Sequence, residues 1–289
     1  MSSENILDKV KKIRELTGVG FKDCKIAIDE SNGDIDKAIE FLRIKGISKA
    51  SKKMERIAAD GLVSTSEKEN KISLIEINSE TDFVAKNNDF ISFVKEVSNL
   101  ALLNSGQMDK IKTSVMKNNK TVNDNLIALV SKIGEKITLR RSDFVDVKDS
   151  VNFSYVHSPV KENLGKIGVL VSLKSSVEKG KLSNFGKQLC MHIAALSPLG
   201  IDEKDLDPDL LQKEKEIIIE ELKISGKDPK IVEKIAAGKI NKFINDNTLL
   251  NQEWIIEPKK KVKDVIIELD NKSKIEIKKF VRFKVGEGV

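Results

Sequence analysis

NSETDFVAKNNDF, residues 78–90, joins a strand-like run to a helix-like one. Upstream, residues 72–77 alternate apolar and polar side chains, the period of a strand with one wetted face. Downstream, residues 90–103 repeat their apolar positions at helical spacing. The quoted stretch is therefore a strand-to-helix turn, and Asp82 and Phe83 stand side by side on it. Periodicity alone reads Phe83 as tucked into the core and Asp82 as a cap on the next helix. The competing reading is that an acid and a large aromatic are displayed together for a purpose.

The segment around this turn has a counterpart. Residues 61–65 form a strand, 66–70 a polar turn, 71–77 a second strand and 89–103 a helix. Residues 153–157, 158–166, 167–173 and 182–196 repeat that order. Hairpin, connection and helix occurring twice predict an internal duplication, two α+β lobes with an antiparallel hairpin each. In the second copy the link reads LKSSVEKGK and has no Asp-Phe pair. The architecture of the repeat does not demand the pair, which points to a particular task for the first copy. Between the copies, residues 122–133 read as a helix, and 137–147 as a strand broken at Arg140-Arg141.

Ahead of the lobes, Ile6, Leu7, Val10, Ile13 and Leu16 recur at helical spacing behind a Ser3 cap. Gly18 and Gly20 punctuate the chain. A second helix carries Phe21, Cys24, Ala27 and Ile28, and Asn32-Gly33 stops it. Asp34 caps a third, with Ile35, Ala38, Ile39 and Leu42 inside. Three short helices of this kind look like a ubiquitin-associated-type bundle, in which Phe21 is either core or a surface contact. Residues 46–60 follow, with Lys49, Lys52, Lys53 and Arg56 on a wet face and Ala50, Met54, Ile57 and Ala58 against a neighbour. After residue 200 comes a helical hairpin. Asp207-Pro208 opens one helix (Leu211, Ile217, Ile218, Leu222), Gly226 ends it, and Asp228-Pro229 opens the other. The second carries Ile231, Ile235, Ile240, Phe243 and Ile244. Such a pair either folds back on the core or keeps a second apolar face for another subunit. The tail reads as a short helix over 262–269 and a strand through Val281, Phe283 and Val285.

A chain of 289 residues accommodates two or more domains. A net charge of +6 over that length is a modest field, suited to an acidic protein partner or the margin of an RNA machine. Aromatics at 4% are too sparse for base-stacking platforms, so nucleic acid is not the expected main partner. Cys24 and Cys190 lie far apart in apolar helical stretches and read as small buried hydrophobes. His157 and His192 have no spaced ligands around them, so no metal site is expected. No secretory leader or membrane-length apolar run is seen, and the expected location is the cytoplasm.

Several strings now fall together in one order: TGVGFKDCKIAI, NGDIDKAIEFLR, AADGLV, TDFVAKN, SKIGEKITLRR, CMHIAALSP, EPKKKV and RFKVGEG. In them the chain resembles the translation elongation factor Ts family, in its longer bacterial form. The resemblance implies an α+β fold: an N-terminal three-helix bundle and basic linker over 1–56 and a first core subdomain over 57–142. A second subdomain spans 143–199 with 249–289, and the hairpin insertion 200–248 offers a homodimer contact. It implies a guanine-nucleotide exchange factor, without a cofactor or reaction of its own, acting on elongation factor Tu in its GDP-bound and nucleotide-free forms. Thr81, Asp82, Phe83 and Val84 would enter that GTPase beside its magnesium ion. Phe21, Ala85, Lys86, Met191 and His192 would make further contacts. Many relatives continue past VGEG into another helix, a contact for which residues up to Val289 supply no counterpart. Two rivals stand beside this: a ribosome- or RNA-associated protein binding through the basic linker, and a hydrolase built on Asp82, Cys190 and His192. The second lacks a nucleophile elbow or phosphate loop.

Overall fold

The N-terminal apolar repeat forms α1 (Ile6–Thr17), α2 (Phe21–Glu30) and α3 (Ile35–Lys53) in a computed structural model that describes residues 6–17, 19–53, 56–224, 229–269 and 275–289. Ser3, Gly18, Met54, Gly226 and Asp228 lie outside these residues, as do the side chains of Lys49, Ala50, Lys52 and Lys53. Val10, Ile13, Cys24, Ala27, Ile28, Ala38 and Leu42 close a small core. Gly33 ends α2 at φ +80°, its N–H donating to Ile28 O at 2.9 Å. Asp34 caps α3 by accepting from Lys37 N–H at 3.0 Å.

The first lobe comprises β1 (Asp60–Lys68), β2 (Lys71–Ser79), α4 (Asp82–Ala85), α5 (Asn88–Leu103), α6 (Met108–Thr113), α7 (Val122–Ile133) and β3 (Ile137–Val145). The expected helical linker begins inside α3, which runs on past Gly46 to Lys53 as one helix and rests on α7. At Gly46 an added Cβ would lie 2.7 Å from Ser131 Oγ, so glycine allows the two helices to approach closely. Arg43 donates to Asp124 at 2.8 Å across the same contact. Past it, Ala58 is buried as expected, but Ile57 is exposed.

The second lobe comprises β4 (Val151–His157), β5 (Leu164–Gly165), β6 (Ile167–Lys174), α8 (Lys179–Leu196), α9 (Pro208–Ile224), α10 (Pro229–Asn247), α11 (Val262–Leu269) and β7 (Glu276–Lys284). Two antiparallel sheets result, in the orders β3-β2-β1-β5 and β4-β6-β7. β5 corrects the expectation of a free hairpin turn: Leu164 and Gly165 cross over to pair with β1 and tie the lobes together. β3 also carries the chain unbroken past the expected boundary at 142/143.

The molecule has four layers. α5 and α7 cover one face of the first sheet, burying Phe90, Val94, Val97 and Val130 with Ile75 and Ile77. α8 covers the outer face of the second, where Phe185, Leu189 and Ile193 meet Val169 and Val171. Between the sheets lie Val63, Ile72, Leu74, Val145, Leu170, Val281 and Phe283. β2 is thus buried on both faces, not wetted on one; Glu76, Ser73 and Asn78, read as solvent-facing by alternation, are inside. Arg140-Arg141 does not break β3. The register shifts opposite Glu76/Ile77, leaving Arg140 as the extra residue of a β-bulge. That bulge lets two consecutive arginines reach one carboxylate, Arg140 at 2.9 Å and Arg141 at 2.6 Å from Glu76.

α9 and α10 form their seam on each other, through Ile218, Leu222, Val232 and Ala236, and have no extensive contact with the lobes among the described residues. The insertion closes at its base, where Leu199 N–H donates to Asn247 O and Leu249 N–H to Gly200 O. No helix of the described residues is long and apolar enough to cross a membrane.

Candidate functional site

At the end of β2 the chain makes a single helical turn, α4, before entering α5. Val84 and Ala85 are both buried in the apolar core of the first lobe, which corrects their reading as residues that enter or touch a partner. In one helical turn successive side chains are rotated by roughly 100°, so seating Val84 and Ala85 inward drives Phe83 outward. Phe83 is 78% exposed. It therefore does not tuck into the core, and it forgoes the ~1.5–3 kcal/mol that burying such a side chain brings. Nor does Asp82 cap α5. That role falls to Asn87, whose side-chain oxygen accepts from Asp89 N–H at 2.9 Å and Phe90 N–H at 3.3 Å.

Asp82 instead accepts from Lys86 Nζ at 2.7 Å, one turn on. That hydrogen bond is the main reason its carboxyl titrates below the usual range. The turn is held from a second direction, which sequence reasoning missed. Thr81 donates its N–H to Glu135 Oε2 at 3.1 Å and its hydroxyl to Oε1 at 2.9 Å. Ser79 Oγ donates to Thr81 O at 3.0 Å. In return Glu80 accepts Lys136 N–H and, at 3.4 Å, Arg56 Nη1. Glu135 and Lys136 lie on the α7–β3 connection, inside SKIGEKITLRR; that string was the signal available, but nothing in periodicity links it to Thr81.

The remaining expected residues fare differently. Phe21, at the first position of α2, and Met191, on α8, are each 43% exposed. His192 is fully buried, which corrects its reading as a surface contact. Its ring stacks on Trp254 with centroids 5.1 Å apart. Nδ1 accepts from Ile255 N–H at 3.3 Å, which leaves Nε2 as the donor to Gln252 Oε1 at 3.0 Å. Burial lowers its pKa to about 4, so the imidazole is neutral. Burial likewise pushes the Cys190 thiol well up, away from nucleophilic chemistry. Asp82 on an outer turn and these two buried side chains of α8 make no assembled hydrolytic site. No group of His, Cys, Asp or Glu among the described residues is arranged to hold a metal ion.

A family model described as Elongation factor TS matches residues 80–287, a span that starts one residue before Thr81. Among curated proteins, the Elongation factor Ts of Rickettsia felis is 41% identical over 283 residues, covering 97% of this chain and 91% of that protein. Those of Parvibaculum lavamentivorans and Sinorhizobium medicae are also 41% identical over 283 residues, each covering 97% of this chain and 92% of theirs.

Proposed function

The chain belongs to the elongation factor Ts family, and on that premise we propose that it accelerates GDP release from elongation factor Tu through the Thr81–Val84 turn. The observation that carries this reading is Phe83, left 78% exposed on a turn whose neighbours are anchored. A pre-formed aromatic wedge loses little conformational freedom on docking, so most of its burial energy is available for work on the partner. That energy shifts the GTPase only to the extent that the shifted state accommodates Phe83 better. Asp82 brings a carboxylate to a magnesium and phosphate site whose own contacts are finely arranged. Val84 and Ala85 act from beneath, as the anchor that turns Phe83 outward.

Exchange is then a linkage effect. A protein that binds the nucleotide-free GTPase more tightly than the GDP form must, reciprocally, be displaced by nucleotide. No bond is made or broken, so the protein is a factor and not an enzyme. Phe21 and Met191 are exposed side chains by which the bundle and the second lobe would extend the contact. The hairpin keeps Ile217 and Ile231 exposed, the face through which two copies would associate. Of the cations the RNA-binding alternative would use, Arg56 is paired with Glu80 at 3.4 Å and stays exposed.

The test is release of a fluorescent GDP analogue from elongation factor Tu, with and without this protein. The native chain is expected to accelerate it strongly. Phe83→Ala should cost ~10–100-fold, the rate equivalent of losing its burial, with folding unchanged because the side chain is exposed. Asp82→Ala should cost less. No acceleration by the native chain would sink the proposal.

A further inference from the structure

Glu135 and Glu80 make a reciprocal clamp between two segments far apart in sequence. The Glu135 carboxylate takes both donors of Thr81, the backbone N–H at 3.1 Å and the hydroxyl at 2.9 Å. The Glu80 carboxylate takes the backbone N–H of Lys136, the residue after Glu135. Lys136 Nζ donates to Arg56 O at 2.7 Å, and Arg56 donates to Glu80 at 3.4 Å, so Arg56 is bound into the same knot. Thr81 is the N-cap of α4, in extended conformation at φ −127° and ψ 159°, and its own side chain makes no capping bond. A cap residue normally uses its hydroxyl to satisfy the first N–H groups of its helix. Here that hydroxyl is diverted to Glu135. An isolated turn of four residues is far too short to be stable alone. Its entry angle is therefore set from outside, by Glu135 above and by the burial of Val84 and Ala85 below.

We propose that Glu135 is a positioning residue for nucleotide exchange: by holding Thr81 at two points it fixes the direction in which Asp82 and Phe83 leave the lobe. This rests on the exchange reading above, and it adds a residue outside the turn, reached through Thr81. The bidentate grip restricts both the backbone and the χ1 of Thr81, so the wedge is presented in one orientation before the partner arrives. Without it the turn samples several, and only the fraction in the competent orientation is productive.

The experiment compares Glu135→Gln and Glu135→Ala in the full chain, each also combined with Phe83→Ala, by GDP-analogue release at saturating and limiting concentrations. Glu135→Gln keeps size and packing while one of its two acceptors becomes a donor. The maximal rate should fall ~10-fold in Glu135→Ala, the worth of one charge-assisted hydrogen bond, and less in Glu135→Gln. The half-saturating concentration should change little. In the Phe83→Ala background the Glu135 effect should shrink to less than ~2-fold, because a positioning residue acts only through what it positions. Hydrogen exchange at the Thr81 amide should quicken in the variants while that of α5 stays as it was. Full activity in Glu135→Ala, or an undiminished loss in the Phe83→Ala background, would overturn the inference while leaving the exchange reading standing. Failure of the native chain to accelerate release would remove both.

Discussion

Glu76 and Ser172 occupy the same place in two copies of one architecture. Each is the sixth residue of an inner strand of its sheet, each faces the other sheet, and each lies where the neighbouring strand, β3 or β7, slips register. Two consecutive basic residues stand opposite in both: Arg140-Arg141 on β3 and Lys278-Lys279 on β7. In the first lobe a buried carboxylate gathers both arginines, the backbone N–H of Gly286 at 2.9 Å and the amide of Asn78 at 3.1 Å. In the second lobe Ser172 is equally buried, its hydroxyl has no hydrogen-bond partner, and the lysines turn away to Glu276 and Asp143. The links that follow differ in the same sense. β2 leads into an extra helical turn that displays Phe83, whereas residues 175–178 run from β6 to α8 with Val177 packed on the lobe's own core. One copy invests in polar anchoring and an exposed aromatic; the other covers itself. A duplicated scaffold supplies the frame, and one half is free to carry the task.

That contrast can be broken by removing each lobe's own feature. Glu76→Ala should cost ~3 kcal/mol in chemical denaturation, the low end for breaking a buried ion pair. Both guanidiniums keep some access to water, with side-chain exposures of 22% and 32%, and so are not wholly stranded. The C-terminal turn at Gly286 should loosen with it, seen as faster amide exchange there. A cost below ~1 kcal/mol would show that the two bulges are energetically alike.

Acid should separate the lobes next. Both histidines of the chain lie in the second lobe, and His192 has a folded pKa of about 4 against an ordinary 6.5. Between those values the unfolded chain binds a proton that the folded one refuses. The contribution is therefore fully present above pH 6.5 and is lost as pH falls toward 4, amounting to ~3 kcal/mol at most. Amide protection should fail in α8 before α5 over that window, and His192→Gln should remove the difference. Simultaneous loss in both helices would argue against it. Smallest of all, Ser172→Ala should shift stability by less than ~0.5 kcal/mol, or raise it, because it removes a hydroxyl without a partner. A loss above ~1 kcal/mol would mean that the hydroxyl is bonded in solution.

Much of this was legible beforehand. The period-2 runs and the helical stripes located both hairpins, α5, α7, α8 and α11, since backbone geometry writes itself into local spacing. Gly33, Asp34 and Pro208 marked helix ends through their own φ angles and side-chain acceptors. The expectation failed where a partner from elsewhere in the chain decides. Arg140-Arg141 read as a break because nothing local announces a buried glutamate across a bulge. His192 counts as a contact on the family resemblance alone, and nothing local names the Trp254 and Gln252 that enclose it.

What the sequence by itself determined is the pair of lobes, the helical hairpin and the singling out of Asp82 and Phe83, because periodicity and a distinctive string are local properties. What only the tertiary structure decided is the direction of those side chains. Phe83 points outward because Val84 and Ala85 must fill a core built from β2 and α5, and because Glu135, 54 residues beyond Thr81, supplies the acceptor that holds the turn. Burial and hydrogen-bond satisfaction are settled by whatever residues arrive from far along the chain, and no local pattern records who they are.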